Sequence, residues 1–461
     1  MTSPLAFQRG HSSAKLPLRN YPVAYILSLL LLVFSVRTTF SFESGSGNVT
    51  LGGKSVGIVQ TMSDTDTLQN RIQLGFVLSI TALLIAKRGR QVMEEMRRNK
   101  VITLSAVLAL ASTAWSQEPA RTALFATYLA LDILFAFYLV SRFTPDELLR
   151  LFSVTGVLAV LSSICMALLL PKYGIDFKAP GGPWQGLFTH KNACAIELTF
   201  FLCAMLFSAA RGYSKIYRLL FIAAAVGTII KTQSRTGWLG VGLLLLFAAS
   251  FHILKRFPRK DQILLAIIIV AAGGALISLS VDYFPQALTV LGKDSTMSGR
   301  TSIWYYVLLS IWKRPLLGYG FSAFWLGMKG ESANVITGFG FLQNHAQNGL
   351  LDVWLQTGAI GMAIVVIWLF QALRNAVRTL RPQSPNYVGW YLGVLLMTLF
   401  YNIGERTLLV PDDLSFIVMV VAAAGLATEA RRLRNVQGRT ARTPILVRPG
   451  VPPLCLSRKS P

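Results

Sequence analysis

An all-α integral membrane protein of about 12 transmembrane helices with one large outer loop is the fold class this sequence predicts, on three observations. Of 461 residues, 53% are hydrophobic and 14% charged, with a mean hydropathy of +0.53, too apolar a balance for a water-soluble chain of this length. Apolar runs long enough to cross a hydrocarbon core recur from end to end. The 44 Lys and Arg, against 20 Asp and Glu, gather in alternate segments between those runs, which is the positive-inside pattern.

A basic leader, 1–20, precedes the first span at 21–40, whose end, SVRTTFSFES, offers no small-x-small cleavage site and reads as a retained anchor. Further spans follow near 70–87, 101–116, 122–141, 149–170, 191–210, 217–232, 236–254, 263–280, 350–372, 387–403 and 413–430. With the N-terminus inside, both termini are cytoplasmic and 21–430 forms one polytopic domain. The basic, Pro-containing stretch 431–461 is expected to be a disordered cytoplasmic tail. A net charge of +24 distributed this way anchors the chain to anionic membrane lipid, so nucleic acid is not an expected partner. Cys165, Cys194 and Cys203 fall inside spans and Cys455 in the tail, which implies neither a disulfide framework nor a metal site.

The segment 281–349 breaks the pattern. It is long, rich in aromatics and glycines, and lies on the outer side, where a long loop is more often a lid or a site than filler. Within it, SGRTSIWYYVLLSIWKRP places Ile303, Trp304, Val307, Leu308 and Ile311 at helical spacing, but Lys313, Arg314 and Pro315 end the run too early to span a bilayer. A short helix lying along the outer interface is expected, with Trp304, Tyr305 and Tyr306 suited to a half-apolar boundary.

Isolated polar groups come to the same face in THKN (189–192), KTQSR (231–235), SGR (298–300), NHAQN (344–348) and NIGER (402–406). Arginine there runs against the positive-inside trend and needs a local partner. Arg235 and Arg300 suit a diphosphate, because a guanidinium donates paired, charge-assisted hydrogen bonds to phosphate oxygens. His345, near neutrality, can take a proton from a hydroxyl nucleophile. His190, Lys191, Asn192, Trp304, Asn348 and Glu405 complete the candidate binding set, with Glu197, two helical turns from His190 on one face, as an orienting partner. Other readings stand beside these: interfacial snorkelling or headgroup binding for the arginines, helix starts for His345, Lys191 and Asn192, and an exposed ion pair between Glu405 and Arg406. Asp132, inside a span, reads as a structural hydrogen-bond group. The DTD at 64–66 has a metal-diphosphate spacing but is ordinary turn chemistry.

WSQEP at 115, GLFTHKN at 186, SRTGWLG at 234, GRTSIW with PLLGYGFSAFW, NHAQNGLLDVWLQTGAIG and NIGE at 402 occur in the order and spacing of the O-antigen ligase and polymerase superfamily. The chain resembles its exopolysaccharide polymerase branch most closely. The resemblance implies a GT-C-like membrane glycosyltransferase of the bacterial inner membrane, open to the periplasm and needing no cofactor. Its donor would be an oligosaccharide on undecaprenyl diphosphate, its second substrate a glycan acceptor, with a chain-length regulator and export machinery as further partners. Carried over residue by residue, Arg235 and Arg300 hold the diphosphate and His345 lies near the acceptor hydroxyl. Where relatives often read HAHN this chain reads HAQN, so Gln347 takes the place of a second histidine. A ligase passing the glycan to lipid A core or protein is the alternative. A transporter of lipid-linked saccharide fits less well, since no repeat halves are visible and the charges gather at one face rather than mid-span.

Overall fold

The computed structural model describes residues 22–35, 46–51, 54–59, 75, 79–177, 179–208, 215–254, 257–258, 260–261, 300–339, 343–382 and 384–442. In chain order its main helices are α1 (Pro22–Ser35), α2 (Gly89–Arg98), α3 (Lys100–Ala111), α4 (Pro119–Arg142), α5 (Pro145–Leu169), α6 (Lys191–Phe207), α7 (Lys215–Lys231) and α8 (Arg235–Leu254). They are followed by α9 (Arg300–Lys313), α10 (Ser332–Phe339), α11 (Gly349–Thr379), α12 (Asn386–Gly404) and α13 (Leu414–Arg442). Strands β1 (Ser46–Leu51) and β2 (Lys54–Val59) pair antiparallel, with Leu51 opposite Lys54 at one end. The hydropathy reading places no strand there, although two glycines between β-rich runs form a hairpin signal.

Among the described residues six helices are long and apolar enough to cross a membrane: α4, α5, α8, α11, α12 and α13. The expected count of twelve is thus met in part. Helix also covers the runs near 21–40, 101–116, 191–210 and 217–232, but α1 has 14 residues, α3 has 12, and α6 and α7 have 17 each. The run 70–87 is helical over 79–86. The run 263–280, DTD at 64–66, and 281–299 of the large loop lie outside the described residues. One boundary is corrected: α13 continues to Arg442, past the point at 431 where a disordered tail was expected. Its extension, ARRLRNVQGRTAR, is rich in residues that favour helix.

The centre of the bundle is α6, which packs against α5, α7, α8, α12 and α13 and is buried almost all round from Cys194 to Phe207, as befits a helix apolar on every face. Thr144 starts α5 with a capping box, its main-chain N–H donating to Glu147 Oε2 at 2.8 Å, and Pro145 follows at the first helical position.

Two non-helical segments shape one end of the bundle. Helix α11 is broken at Gly358, whose φ of 67° lies in the left-handed region and whose hypothetical Cβ would strike Leu316 O. The chain at 315–320 fills the break: Ala359 N donates to Pro315 O at 2.8 Å, Tyr319 N to Leu355 O at 3.1 Å and Gly320 N to Gln356 O at 3.0 Å. Backbone groups freed from the helix ladder are thereby satisfied inside protein, as they must be at membrane depth. The chain from 317 to 323 hangs on WSQEP and the start of α4. Trp115 Nε1 donates to Leu317 O at 2.9 Å, Gln117 Nε2 to Ala323 O at 2.7 Å and Thr122 Oγ1 to Phe321 O at 2.9 Å. The second segment, 405–413, dips between the helices. Leu408, Leu409 and Val410 are buried, and Asp412 N donates to Asp132 Oδ2 at 2.7 Å, the structural role read from the sequence for Asp132.

Candidate functional site

Helix ends assemble the site. The N-termini of α6, α9 and α11 meet the C-terminus of α12, so that THKN, the start of GRTSIW, NHAQN and NIGER converge. Arg300, first residue of α9, donates from Nη2 to Glu405 Oε1 at 3.2 Å and from Nε to Gln347 Oε1 at 3.1 Å. Asn192 Nδ2 donates to the same Glu405 oxygen at 3.1 Å. Gly404 lets the guanidinium in: a Cβ there would sit 2.6 Å from Arg300 Nη1. Burial pushes the Glu405 carboxyl up from its ordinary range, while Arg300 and the Asn192 amide pull the other way. Arg235 opens α8 at the same end, its first turn packed on α6 where Gly237 closes against Ala195.

The ion pair expected within NIGER is corrected. Glu405 is buried and turns to Arg300, while Arg406 pairs instead with Asp352 Oδ2 at 2.8 Å. Adjacent residues in extended backbone point to opposite sides, and Glu405 has φ −141° and ψ −176°.

Asp352, in the first turn of α11, escaped the sequence reading and organises half of the site. Its carboxylate is fully buried and also accepts from Trp325 Nε1 at 2.8 Å, Ala346 N at 3.1 Å and Gln356 Nε2 at 3.0 Å. The signal was present: a carboxylate within an apolar run, the same feature that singles out Glu197 and Asp132.

His345 and His190 share one arrangement. Each ring accepts at Nδ1 from the backbone N–H two residues on, Gln347 N at 3.0 Å and Asn192 N at 3.2 Å. A backbone N–H only donates, so each neutral ring carries its proton on Nε2. Burial first, then the charge of Arg406, holds His345 down to about 4, and burial with Lys191 also lowers His190. A neutral ring protonated at Nε2 offers a hydrogen bond there, whereas the expected general base needs a lone pair.

Three further residues do something other than expected. Asn348 caps α11, its Oδ1 accepting from Leu350 N and Leu351 N at 3.1 and 3.0 Å while Nδ2 donates to Ile403 O at 3.2 Å, so its side chain is spent on structure. Glu197 lies buried against Asp413 and Ser415 rather than orienting His190. Seven residues along a helix share a face but rise roughly 10 Å, too far for the two side chains to meet. Trp304 is half-buried and donates from Nε1 to Ala346 O at 3.1 Å, holding the histidine loop onto α9. Lys191, half-buried, opens α6 beside His190.

Helix α9 is short, as expected. Ile303, Val307 and Ile311 pack on Tyr319, Phe324, Trp325 and Leu355, while Tyr305, Leu309 and Trp312 on its other side are exposed. Lys313 pairs with Glu331 at its end. Apolar on both faces, α9 suits a place between protein and lipid.

Comparison with known proteins places this geometry in a family context. Residues 198–366, from α6 through the break in α11, match the O-antigen ligase family. The exopolysaccharide production protein ExoQ of Rhizobium meliloti (strain 1021) is 23% identical over 215 residues, 44% of this chain and 48% of that protein. The match thus spans about half the length of that relative.

Proposed function

We propose that this multi-pass membrane protein, which resembles the O-antigen ligase family and its exopolysaccharide-production branch, is a polymerase of undecaprenyl-diphosphate-linked oligosaccharide units. In this reading it sits in the bacterial inner membrane with both termini in the cytoplasm and the site toward the periplasm. The observation that carries the proposal is the meeting of Arg300, Gln347, Glu405 and Asn192 at the ends of four helices, with Arg235 at the same end.

An acceptor sugar hydroxyl attacks the anomeric carbon of the donor, and the bond from that carbon to undecaprenyl diphosphate breaks with its electron pair left on the diphosphate. Arg300 and Arg235 offset that growing charge, a task for which a preorganised guanidinium suits better than water, and no metal is required. His345 donates from Nε2 to a substrate oxygen. The exposed aromatics of α9 pack against lipid and sugar rings. A single displacement inverts the anomeric configuration; retention in the product linkage would refute it.

The test is Arg300→Ala in a strain lacking the native copy, with lipid-linked saccharides and secreted polymer sized. Polymerase activity predicts single repeat units accumulating on the lipid and loss of long polymer. The match to O-antigen ligases keeps ligation as the second reading; there, long polymer persists on the lipid and fails to reach its second carrier. Unchanged polymer would sink both.

A further inference from the structure

The displacement needs a group to take the proton of the acceptor hydroxyl, and His345, protonated at Nε2 in the neutral ring, does not offer a lone pair for it. We infer that Glu405 is the general base. Its Oε1 accepts from both Arg300 and Asn192, and among the described residues Oε2 makes no hydrogen bond. One oxygen is fixed and the other is left for a substrate hydroxyl, next to the guanidinium that would face the diphosphate. This placement puts the proton acceptor and the leaving-group cation within one constellation, as a concerted displacement demands. The inference rests on the glycosyl-transfer reading above and assigns the proton's destination within it.

The step balances simply. The acceptor O–H proton moves to Glu405 Oε2, the acceptor oxygen bonds to the anomeric carbon, and the electron pair of the breaking bond leaves on the diphosphate. Carboxylic Glu405 then returns its proton to solvent or to the departing diphosphate.

Anchoring also sets the basicity. Burial raises the carboxyl pKa, which makes the carboxylate a stronger base than a free glutamate, while the Arg300 guanidinium and the Asn192 amide favour the ionised form. The other groups facing it are Tyr401, one turn back on α12, and Asn192, which is neutral; Arg406 is turned to Asp352.

The decisive experiment uses the full-length protein in proteoliposomes, with lipid-linked repeat unit as donor and acceptor, and compares Glu405→Gln, Glu405→Ala, His345→Gln and Arg300→Ala. Glutamine preserves the acceptor oxygen for Arg300 and Asn192 but takes no proton. We expect Glu405→Gln to lower kcat by about 10²–10⁴-fold with KM for the donor nearly unchanged, and sodium formate to restore at least tenfold of the loss in Glu405→Ala. His345→Gln, which keeps a donor, should lose about tenfold. Glu405→Gln turnover within threefold of the parent overturns the assignment, as does a Glu405→Ala protein that formate leaves inactive. If Arg300→Ala is inactive while Glu405→Gln is not, only the base is misassigned; if both polymerise normally, the glycosyl-transfer reading falls as well.

Discussion

Replacing Asp352 by alanine should damage the protein more than removing Asp352 and Arg406 together. The carboxylate is 1% exposed and holds four partners: Arg406, Trp325, the Ala346 amide and Gln356. Breaking a buried ion pair from one side costs about 3–5 kcal/mol, because a charge is left without its counterpart. Arg406 keeps 23% of its side-chain exposure, which sets this contribution at the lower end, about 3 kcal/mol. The Trp325 and Ala346 donors lose their acceptor too, at about 1 kcal/mol each. Asp352→Ala is therefore expected to destabilise by about 5 kcal/mol. Adding Arg406→Met removes the stranded charge and should recover about 2 kcal/mol. Unfolding by SDS in mixed micelles, followed by tryptophan fluorescence, measures all four corners of the cycle. A double variant as unstable as the sum of the two single changes would show that the pair is not coupled and refute the account.

Gly358→Ala should lower stability by about 2 kcal/mol or more and abolish polymer formation, because the left-handed backbone is strained by a side chain and Leu316 O occupies its place; a folded, active variant would show that the break is dispensable. Asn348→Ala should cost about 1 kcal/mol of stability, as loss of a helix cap does, with Asn348→Asp largely preserving it, and turnover of the Asp variant distinguishes a cap from a sugar contact. In the pH profile of kcat, the base must be ionised, so activity is lost as pH falls through the raised Glu405 pKa. An acid limb lying above the ordinary carboxylate range supports Glu405, whereas one within or below that range counts against a buried Glu405 as the base.

Much of the helical frame was legible because apolar length is a property of single runs, and the order of motifs marked which helix ends converge. Pairing was not. Sequence proximity favoured a Glu405–Arg406 pair, while the fold sends these neighbours to Arg300 and Asp352, more than fifty residues away in each case. Periodicity put Glu197 on the face of His190 but says nothing of the distance along the axis. Tautomers were equally hidden: His345 was a candidate base by residue type, and only the Gln347 amide at its Nδ1 showed where the proton lies. The WSQEP run was recognisable but mute, since its partners sit some two hundred residues on, in a segment that hydropathy reads only as loop.

The break at Gly358 makes α11 two rods rather than one. The longer, 359–379, turns Ile360, Val366, Ile367, Phe370 and Leu373 outward, and a rod in contact with acyl chains tilts when bilayer thickness changes. The shorter carries Asn348 and Asp352 and is tied to Trp325, Ala346, Arg406 and Ile403. The long rod meets the 315–320 segment where Pro315 and Leu316 accept from Ala359 and Ile360, and a helix break at this point is expected to absorb such a tilt before it reaches the site. Turnover is accordingly expected to vary little among proteoliposomes whose lipids differ only in acyl-chain length.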